Sequence, residues 1–317
     1  MMAQGPVLTI TLNPALDVAT GTDLVRPDVK LRCDAPVVDP GGGGINVSRA
    51  IAVMDGQSTA FVALGGTTGR RVAEMLEGAG LTWQDMRAPG ETRQSLSVMD
   101  RDSGLQYRFV MPGPEWSSAD VGKSIAHIRQ AARPGGLVVL SGSNPPGVPP
   151  DYAALLAAAL AQGDGRLIVD TSGAALHAVA SGRHDFALLR MDREEAEGLA
   201  GAPLPERADT ARFAASLVEA RAATAVIVAR GADGNIIVTP EGAWHAEAAK
   251  VEILSKVGAG DSFVAGFTLG LARGLPAHDA LGLGAAMASA TCMTPATELC
   301  RRADVDRLYA ERIVTRL

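Results

Sequence analysis

Val257-Gly258-Ala259-Gly260-Asp261-Ser262 runs straight into Phe263–Arg273, whose apolar spacing predicts a helix. A Gly-Ala-Gly turn at a helix start leaves several backbone N–H groups unpaired and aimed at one point, backed by the positive end of the helix dipole. Such a place holds an anion, most often a phosphate. Asp261 would repel that anion unless it serves the chemistry, taking a proton from a hydroxyl while the turn stabilises a phosphoryl group in transfer. An ordinary glycine-rich turn with Asp as N-cap would carry the same residues. A second glycine cluster favours the phosphate site. Pro40-Gly41-Gly42-Gly43-Gly44-Ile45-Asn46-Val47 leads into another predicted helix, Ile45–Met54. Four glycines in a row forgo packing and are entropically costly to order, which suits a backbone that a ligand must approach closely. A flexible linker would not run directly into Ile-Asn-Val-Ser-Arg-Ala-Ile at helical spacing.

Between and around these clusters, short apolar runs alternate with amphipathic helices. Val7–Leu12, Thr59–Leu64, Leu137–Leu140, Leu167–Asp170, Phe186–Leu189 and Ala225–Val228 are too continuous for half-exposed strands. Helices are predicted over Val72–Glu77, Asp151–Ala161, Glu194–Ala200 and Ala211–Ala220. The alternation predicts an α/β fold, a mostly parallel central sheet flanked by helices, with ligands beyond the carboxyl ends of the strands. Val18–Val38 and Arg93–Met111 break the pattern; Ser95-Leu96-Ser97-Val98 and Gln106-Tyr107-Arg108-Phe109 alternate as in an antiparallel excursion.

The chain has 317 residues, a net charge of −6 and a pI near 5.4. That balance argues against nucleic acid or an anionic membrane as the main partner. Cys33, Cys292 and Cys300 follow no metal or redox spacing, so reduced thiols and a cytoplasmic location are expected. Met1–Pro6 lacks a basic stretch and a long apolar run, so no signal peptide is expected, and no segment is apolar for long enough to span a bilayer. The five histidines are scattered without ligand spacing. Gly122-Lys123-Ser124 resembles the end of a P-loop but lacks the upstream glycine and a preceding strand, and no G-x-G-x-x-G follows the first strand.

Seven segments occur in the order seen in the PfkB sugar kinases of the ribokinase-like superfamily. They are Asn13-Pro14-Ala15-Leu16-Asp17, Lys30-Leu31-Arg32-Cys33, Gly41–Asn46, Thr92-Arg93-Gln94, Tyr107–Gly113, Ser141–Gly147 and Gly258–Ser262. The chain resembles that family over essentially its whole length. Within it the chain is most similar to the bacterial minor-isozyme 6-phosphofructokinases, with 1-phosphofructokinases and tagatose-6-phosphate kinases as near relatives. The resemblance implies a ribokinase-like α/β domain formed by residues 1–17, 40–91 and 112–317. It also implies a small β-sheet lid, residues 18–39 and 92–111, that covers the sugar and pairs with a partner's lid in a homodimer. Asp261 is then the base, with Gly258, Ala259 and Gly260 forming the anion hole. Asp17, Asn46, Ser141 and the backbone of Gly42, Gly43 and Gly44 bind the acceptor, and Lys30 and Arg93 its phosphate. Arg26 and Arg108 are weaker candidates for that role.

The donor side departs from the family pattern. Lys-Pro-Asn-x-x-Glu becomes Arg190-Met191-Asp192-Arg193-Glu194-Glu195, keeping Glu195 as the residue that organises Mg²⁺ through water. Ser-Leu-Gly becomes Ala229-Arg230-Gly231, followed by Gly234, and Lys256 stands where Thr is common. Thr294–Thr297 replaces an Asn-Gly-containing turn near the nucleotide. Arg190, Asp192, Arg230, Gly231, Gly234 and Lys256 are the expected donor residues. If Arg190, Arg230 and Lys256 converge, the pocket is charged enough for pyrophosphate or another donor. The expected reaction is transfer from ATP, with Mg²⁺ as cofactor, to the primary hydroxyl of a ketohexose phosphate, foremost fructose-6-phosphate. Tagatose-6-phosphate or fructose-1-phosphate as acceptor, a non-ATP donor, or a non-catalytic sugar-phosphate binder are the alternatives.

Overall fold

A computed structural model of the chain describes residues 4–163, 165–295 and 297–317. Residues 1–3, where part of the N-terminal expectation falls, and Ala296 of the Thr294–Thr297 stretch lie outside the described residues.

Ten strands form the central sheet. Its parallel part comprises β1 (Val7–Thr11), β4 (Thr59–Val62), β5 (Trp83–Asp85), β8 (Leu137–Ser141), β9 (Arg166–Asp170), β10 (Leu188–Asp192) and β11 (Val226–Ala229). Three antiparallel strands, β12 (Asn235–Thr239), β13 (Gly242–Ala246) and β14 (Val314–Arg316), extend it at one edge. The spatial order is β14-β13-β12-β11-β10-β9-β8-β1-β4-β5. The strand sequence therefore turns back between β1 and β8, which is where open α/β sheets open a crevice at their carboxyl ends.

Both faces of the sheet are covered, the reason its strands read as unbroken apolar runs. On one face Leu8, Ile10, Val138, Leu140, Val226 and Val228 pack against α3 (Ser118–Ala131), α4 (Tyr152–Leu160), α5 (Gly173–Ala180), α6 (Arg193–Ala200) and α7 (Arg207–Glu219). The alternate residues Val7, Leu137, Val139 and Ile227 meet α1 (Gly43–Val53), α8 (Ala259–Ala272), α9 (Ala277–Cys292) and α10 (Arg302–Ala310) on the other. A smaller core under α2 (Gly66–Gly78) joins Val72 and Leu76 to Ala60, Val62 and Leu16.

A second sheet holds β2 (Ala15–Thr22), β3 (Val37–Gly41), β6 (Arg93–Asp100) and β7 (Gln106–Val110) in the order β3-β2-β6-β7. Its outer pairs are antiparallel as expected, but the central pair β2–β6 is parallel. Both strands leave the central sheet in the same sense, because the chain between them returns through α1, β4, α2 and β5. Asp17, expected as the last residue before the lid segment, belongs to β2 of this second sheet. The expected strand over Phe186–Leu189 also begins later: positive φ at Asp185 leaves Phe186 with a single bridge to Ala223, and the ladder runs on to Asp192. Gly122-Lys123-Ser124 lies inside α3, with Lys123 paired to Asp120, which excludes a phosphate loop there.

Candidate active site

Asp261 stands in the first turn of α8, whose N-cap is Gly258 at φ 77°. That left-handed turn suits glycine and few other residues, and it lets the chain enter the helix without a side-chain cap. The first-turn amides of Gly260 and Asp261 have no partner one turn back within the helix. Ala259 differs from expectation, since its N–H donates to the Lys256 carbonyl at 3.3 Å. Burial pushes the Asp261 carboxyl up to about 7, helped by the nearby charge of Asp170; the Asn46 amide and Arg190 work against this. Asn46, on α1, donates through Nδ2 to Asp261 Oδ2 at 2.9 Å. The two glycine-led helices thus meet at their N-termini over the carboxyl end of the sheet.

The glycine run brings the second sheet to the same place. A Cβ on Gly41 would lie 2.1 Å from Asp17 Oδ2, so only glycine leaves that carboxylate its position. Burial pushes the Asp17 carboxyl above its ordinary range, partly offset by Arg93 and Arg108. Arg93 donates from Nε and Nη2 to the Asn13 carbonyl at 3.2 Å and remains electrostatically coupled to Asp17. Asp17, Asn46, Arg93 and Asp261 are therefore gathered. Lys30 is exposed on the β2–β3 loop and makes no ion pair among the described residues. Arg26 is exposed there too. Ser141, at the end of β8, is buried beside Gly43 and donates its hydroxyl to Asp170 Oδ2 at 3.1 Å. It supports Asp170 instead of facing an open acceptor pocket.

On the donor side Arg190 reaches the anion hole: its guanidinium lies within 3.3 Å of where a Cβ on Gly260 would sit. Nη1 pairs with Asp170 Oδ1 at 3.0 Å, while Nε is buried without a partner among the described residues. Arg230 does not join it. Its side chain is 3% exposed and is committed to Asp233 and to the carbonyls of Leu204, Pro205 and Glu206. The three expected cations therefore do not form one pocket. A buried arginine at the strand end ties the Gly231–Asp233 turn to the segment before α7, because the low-dielectric interior leaves its five donors no other acceptors. Gly231 and Gly234 bound that turn, and Lys256 is exposed beside α8 and near Cys292. The described cysteines are all free thiols.

Asp192 and Glu195, expected to face Mg²⁺, form a reciprocal capping box at the start of α6: each side chain accepts from the other's backbone N–H at 2.9 Å. Burial raises the Glu195 carboxyl, and the Asp192 amide opposes this. Among the described residues no three His, Cys, Asp or Glu side chains gather into a metal cage. One oxygen of each carboxylate is outside the box, which fits a hydrated cation carried on substrate phosphates rather than a bare ion.

A buried carboxyl pushed up to about 7 thus stands at first-turn helix amides, with a second carboxyl nearby on a separate sheet, at the carboxyl end of a mostly parallel α/β sheet of ribokinase-like form. Residues 7–303 match the pfkB family carbohydrate kinases, and the chain belongs to that family of phosphotransferases. It is 38% identical over 303 residues (96% of this chain, 88% of the relative) to the ATP-dependent 6-phosphofructokinase isozyme 2 of Mycobacterium tuberculosis. It is 37% identical over 305 residues (96% and 98%) to the Escherichia coli K12 protein of the same name. The crystal structure of E. coli phosphofructokinase-2 in complex with fructose-6-phosphate superposes with a TM-score of 0.89, 35% identity, and 97% and 99% coverage. A tetrameric inhibited form of that enzyme gives the same TM-score at 36% identity, covering 97% of this chain and 99% of that one.

Three side chains at the site escaped the sequence reasoning. Asp170 had a usable signal, as an acid closing a predicted parallel strand. Asp39 and Arg49 had none beyond Arg49 lying one turn after Asn46.

Proposed function

We propose that the protein transfers the terminal phosphoryl group of ATP to the primary hydroxyl of fructose-6-phosphate, giving fructose-1,6-bisphosphate. The observation that carries this is Asp261: a carboxylate held near 7, within the first turn of an uncapped helix and bonded to Asn46. A general base works best with a pKa near the working pH. Asp261 takes the hydroxyl proton as the oxygen attacks phosphorus in line. The Gly260 and Asp261 amides, with Arg190 beside them, stabilise the charge on the transferring group. Asp17 and Asn46 orient the sugar hydroxyls, and Arg93, with Lys30 after movement of its loop, receives the acceptor's phosphate. The Gly231–Gly234 turn and Lys256 line the nucleotide. Asp192 and Glu195 would hold a hydrated Mg²⁺, which neutralises charge on the donor phosphates. The names of the relatives and the sugar phosphate bound by the E. coli enzyme support the choice of acceptor.

The second sheet serves as a lid, and two lids pair in a homodimer. Support comes from its uncovered apolar surface: Val37, Leu105, Phe109 and Val110 are each more than half exposed. Val37 and Val110 stand on the face that carries Asp17 and Phe109 on the opposite one, and a four-stranded sheet with such apolar side chains exposed is stabilised by covering them.

The test is a matrix of purified protein with Mg²⁺: fructose-6-phosphate, tagatose-6-phosphate, fructose-1-phosphate and fructose against ATP, GTP, ADP and pyrophosphate. Efficient turnover of fructose-6-phosphate with ATP is the expected result. Preference for another acceptor or donor, or sugar-phosphate binding with no transfer under any donor, overturns it.

A further inference from the structure

We infer that Arg49 is a positioning residue: it sets the Asn46 amide on Asp261 and ties that hydrogen bond to strand β3 of the second sheet. The inference rests on the assignment of Asp261 as base. Arg49 lies one turn after Asn46 on α1 and donates from Nη1 to Asn46 Oδ1 at 3.3 Å. A guanidinium has donors and no acceptor. The amide oxygen must therefore face Arg49, and Nδ2 must face Asp261, where it donates at 2.9 Å. The flipped amide would set its oxygen against the carboxylate and its NH₂ against the guanidinium, two repulsive contacts in place of two bonds.

The other arm of Arg49 holds the second sheet. Nη2 reaches Asp39 Oδ1 at 3.4 Å, with both side chains about one-fifth exposed. Asp39 sits directly opposite Asp17 in the β2–β3 register, and its charge raises the Asp17 carboxyl. Arg49 thus offsets a like charge beside the acceptor-binding carboxylate and links the seating of β3 to the orientation of the base's hydrogen-bond donor. The groups facing Asp261 are Asn46 from α1, Asp170 from β9, Arg190 from β10 and Asp17 from β2. Asn46 and Arg190 favour the carboxylate, while the two aspartates disfavour it. A loosened Asn46 removes one of the two favourable contacts, so the base gains protons more readily.

The experiment measures kcat and kcat/KM against pH for wild type, Asp261→Asn, Arg49→Met, Arg49→Lys, Asn46→Ala and the Arg49→Met/Asn46→Ala pair. The acidic limb of Arg49→Met is expected to move up by about half to one pH unit. The rate then falls several-fold at pH 6.5 and less at pH 8.5. Arg49→Lys, another donor without an acceptor, recovers part of the shift. In the Asn46→Ala background Arg49→Met adds less than about twofold to the base's loss, since residues acting through one contact are not additive. An unmoved limb, or penalties that multiply in full, overturns the inference. If Arg49→Met does not fold, Asp39→Asn and Arg49→Lys decide it, each expected to move the limb the same way by less; no movement in either overturns it. An active Asp261→Asn defeats the base assignment itself. An inactive Asp261→Asn beside a wild-type-like Arg49→Met defeats only the role of Arg49.

Discussion

Asn46 Nδ2 donates to Asp261 Oδ2 at 2.9 Å, although 215 residues separate the two in the chain. The bond joins the first turns of α1 and α8, whose glycine N-caps supply no side chain; on α1 the Thr11 hydroxyl instead accepts from Ile45 N–H at 2.9 Å. Each helix end is a poor place for burial without a ligand, because first-turn amides need acceptors. Together they bring first-turn amides to either side of one carboxylate, the arrangement on which the proposed phosphoryl transfer rests.

Asp261→Asn should lower kcat by roughly 10²–10⁴-fold, the usual worth of a general base. Calorimetric binding of fructose-6-phosphate should change little. In the wild type, kcat/KM should rise tenfold per pH unit below about 7 and level off above it, as Asp261 loses its proton. A flat profile between pH 5.5 and 8, or retained turnover in the variant, would remove Asp261 from that role.

The same group affects stability. Its pKa rises from an ordinary 3.8 to about 7 on folding, so between those values the folded state holds a proton that the unfolded state has released. Stability contributed by the protonated form is complete below about pH 4 and declines as pH rises through 7. Asp261→Asn should therefore melt above the wild type at pH 8 by several degrees, at roughly 2–4 °C per kcal/mol. That gap should be much smaller at pH 5 and vanish only below about pH 4. Scanning calorimetry at the two pH values checks the sign.

Gly41→Ala introduces a Cβ 2.1 Å from Asp17 Oδ2, and the side chain must turn away. The KM for fructose-6-phosphate should rise at least about tenfold, since a displaced charge-assisted hydrogen bond is worth roughly 1.5–3 kcal/mol. The KM for ATP should hold within about twofold. Steady-state kinetics with each substrate varied separates the two, and an unchanged acceptor KM would dissociate Asp17 from the sugar.

Arg230→Met leaves Asp233 with Arg207 alone and strips donors from three carbonyls. The loss should be about 2–3 kcal/mol, below the figure for a wholly buried pair because Asp233 is 33% exposed. Hydrogen bonds from Arg207 first, and then Arg230, hold the Asp233 carboxyl down at about 2. That contribution is full above about pH 4 and lost as pH falls toward 2, so the gap between wild type and variant should narrow in acid. Urea midpoints at pH 7 and pH 3 test it. Donor KM should rise with the loosened Gly231–Gly234 turn.

Phe109→Asp places a charge in the exposed apolar face of β7, where Phe109 is 51% exposed. Light scattering after gel filtration should show the proposed homodimer giving way to monomer, with acceptor KM raised as the lid loses support. An unaltered mass would mean that the lids do not form the interface.

Much of the site was legible because it is built from local backbone chemistry. Four glycines before Ile45 and a Gly-Ala-Gly turn before Asp261 read as helix starts, and both are; the atoms that crowd the four glycines belong to Asp17, Thr11, Ser141 and Ile10, where the sequence reading expected a ligand. The β1, β8, β9 and β11 runs were recognisable because strands buried on both faces lose the period of two that a half-buried strand shows. The parallel pairing of β2 with β6 was not legible, since alternation along a strand records which face is buried and not the direction of its neighbour. Arg230 misled for a related reason: an arginine looks the same in sequence whether it awaits a phosphate or caps three carbonyls, and burial alone separates the cases.

The sequence by itself determined the class of fold, the two glycine-led helix starts and the candidate base, because these depend on which backbone conformations and hydrogen-bond partners each residue permits within a few positions. Only the tertiary structure decided the charge state and company of the functional groups. Burial, helped by the charge of Asp170, pushes the Asp261 carboxyl up to about 7, Asp17 meets Gly41 and Arg93 on a separate sheet, and Arg49 joins Asn46 to Asp39. Desolvation and Coulomb energy vary with distance through space, and no local window of sequence contains the partners that set them.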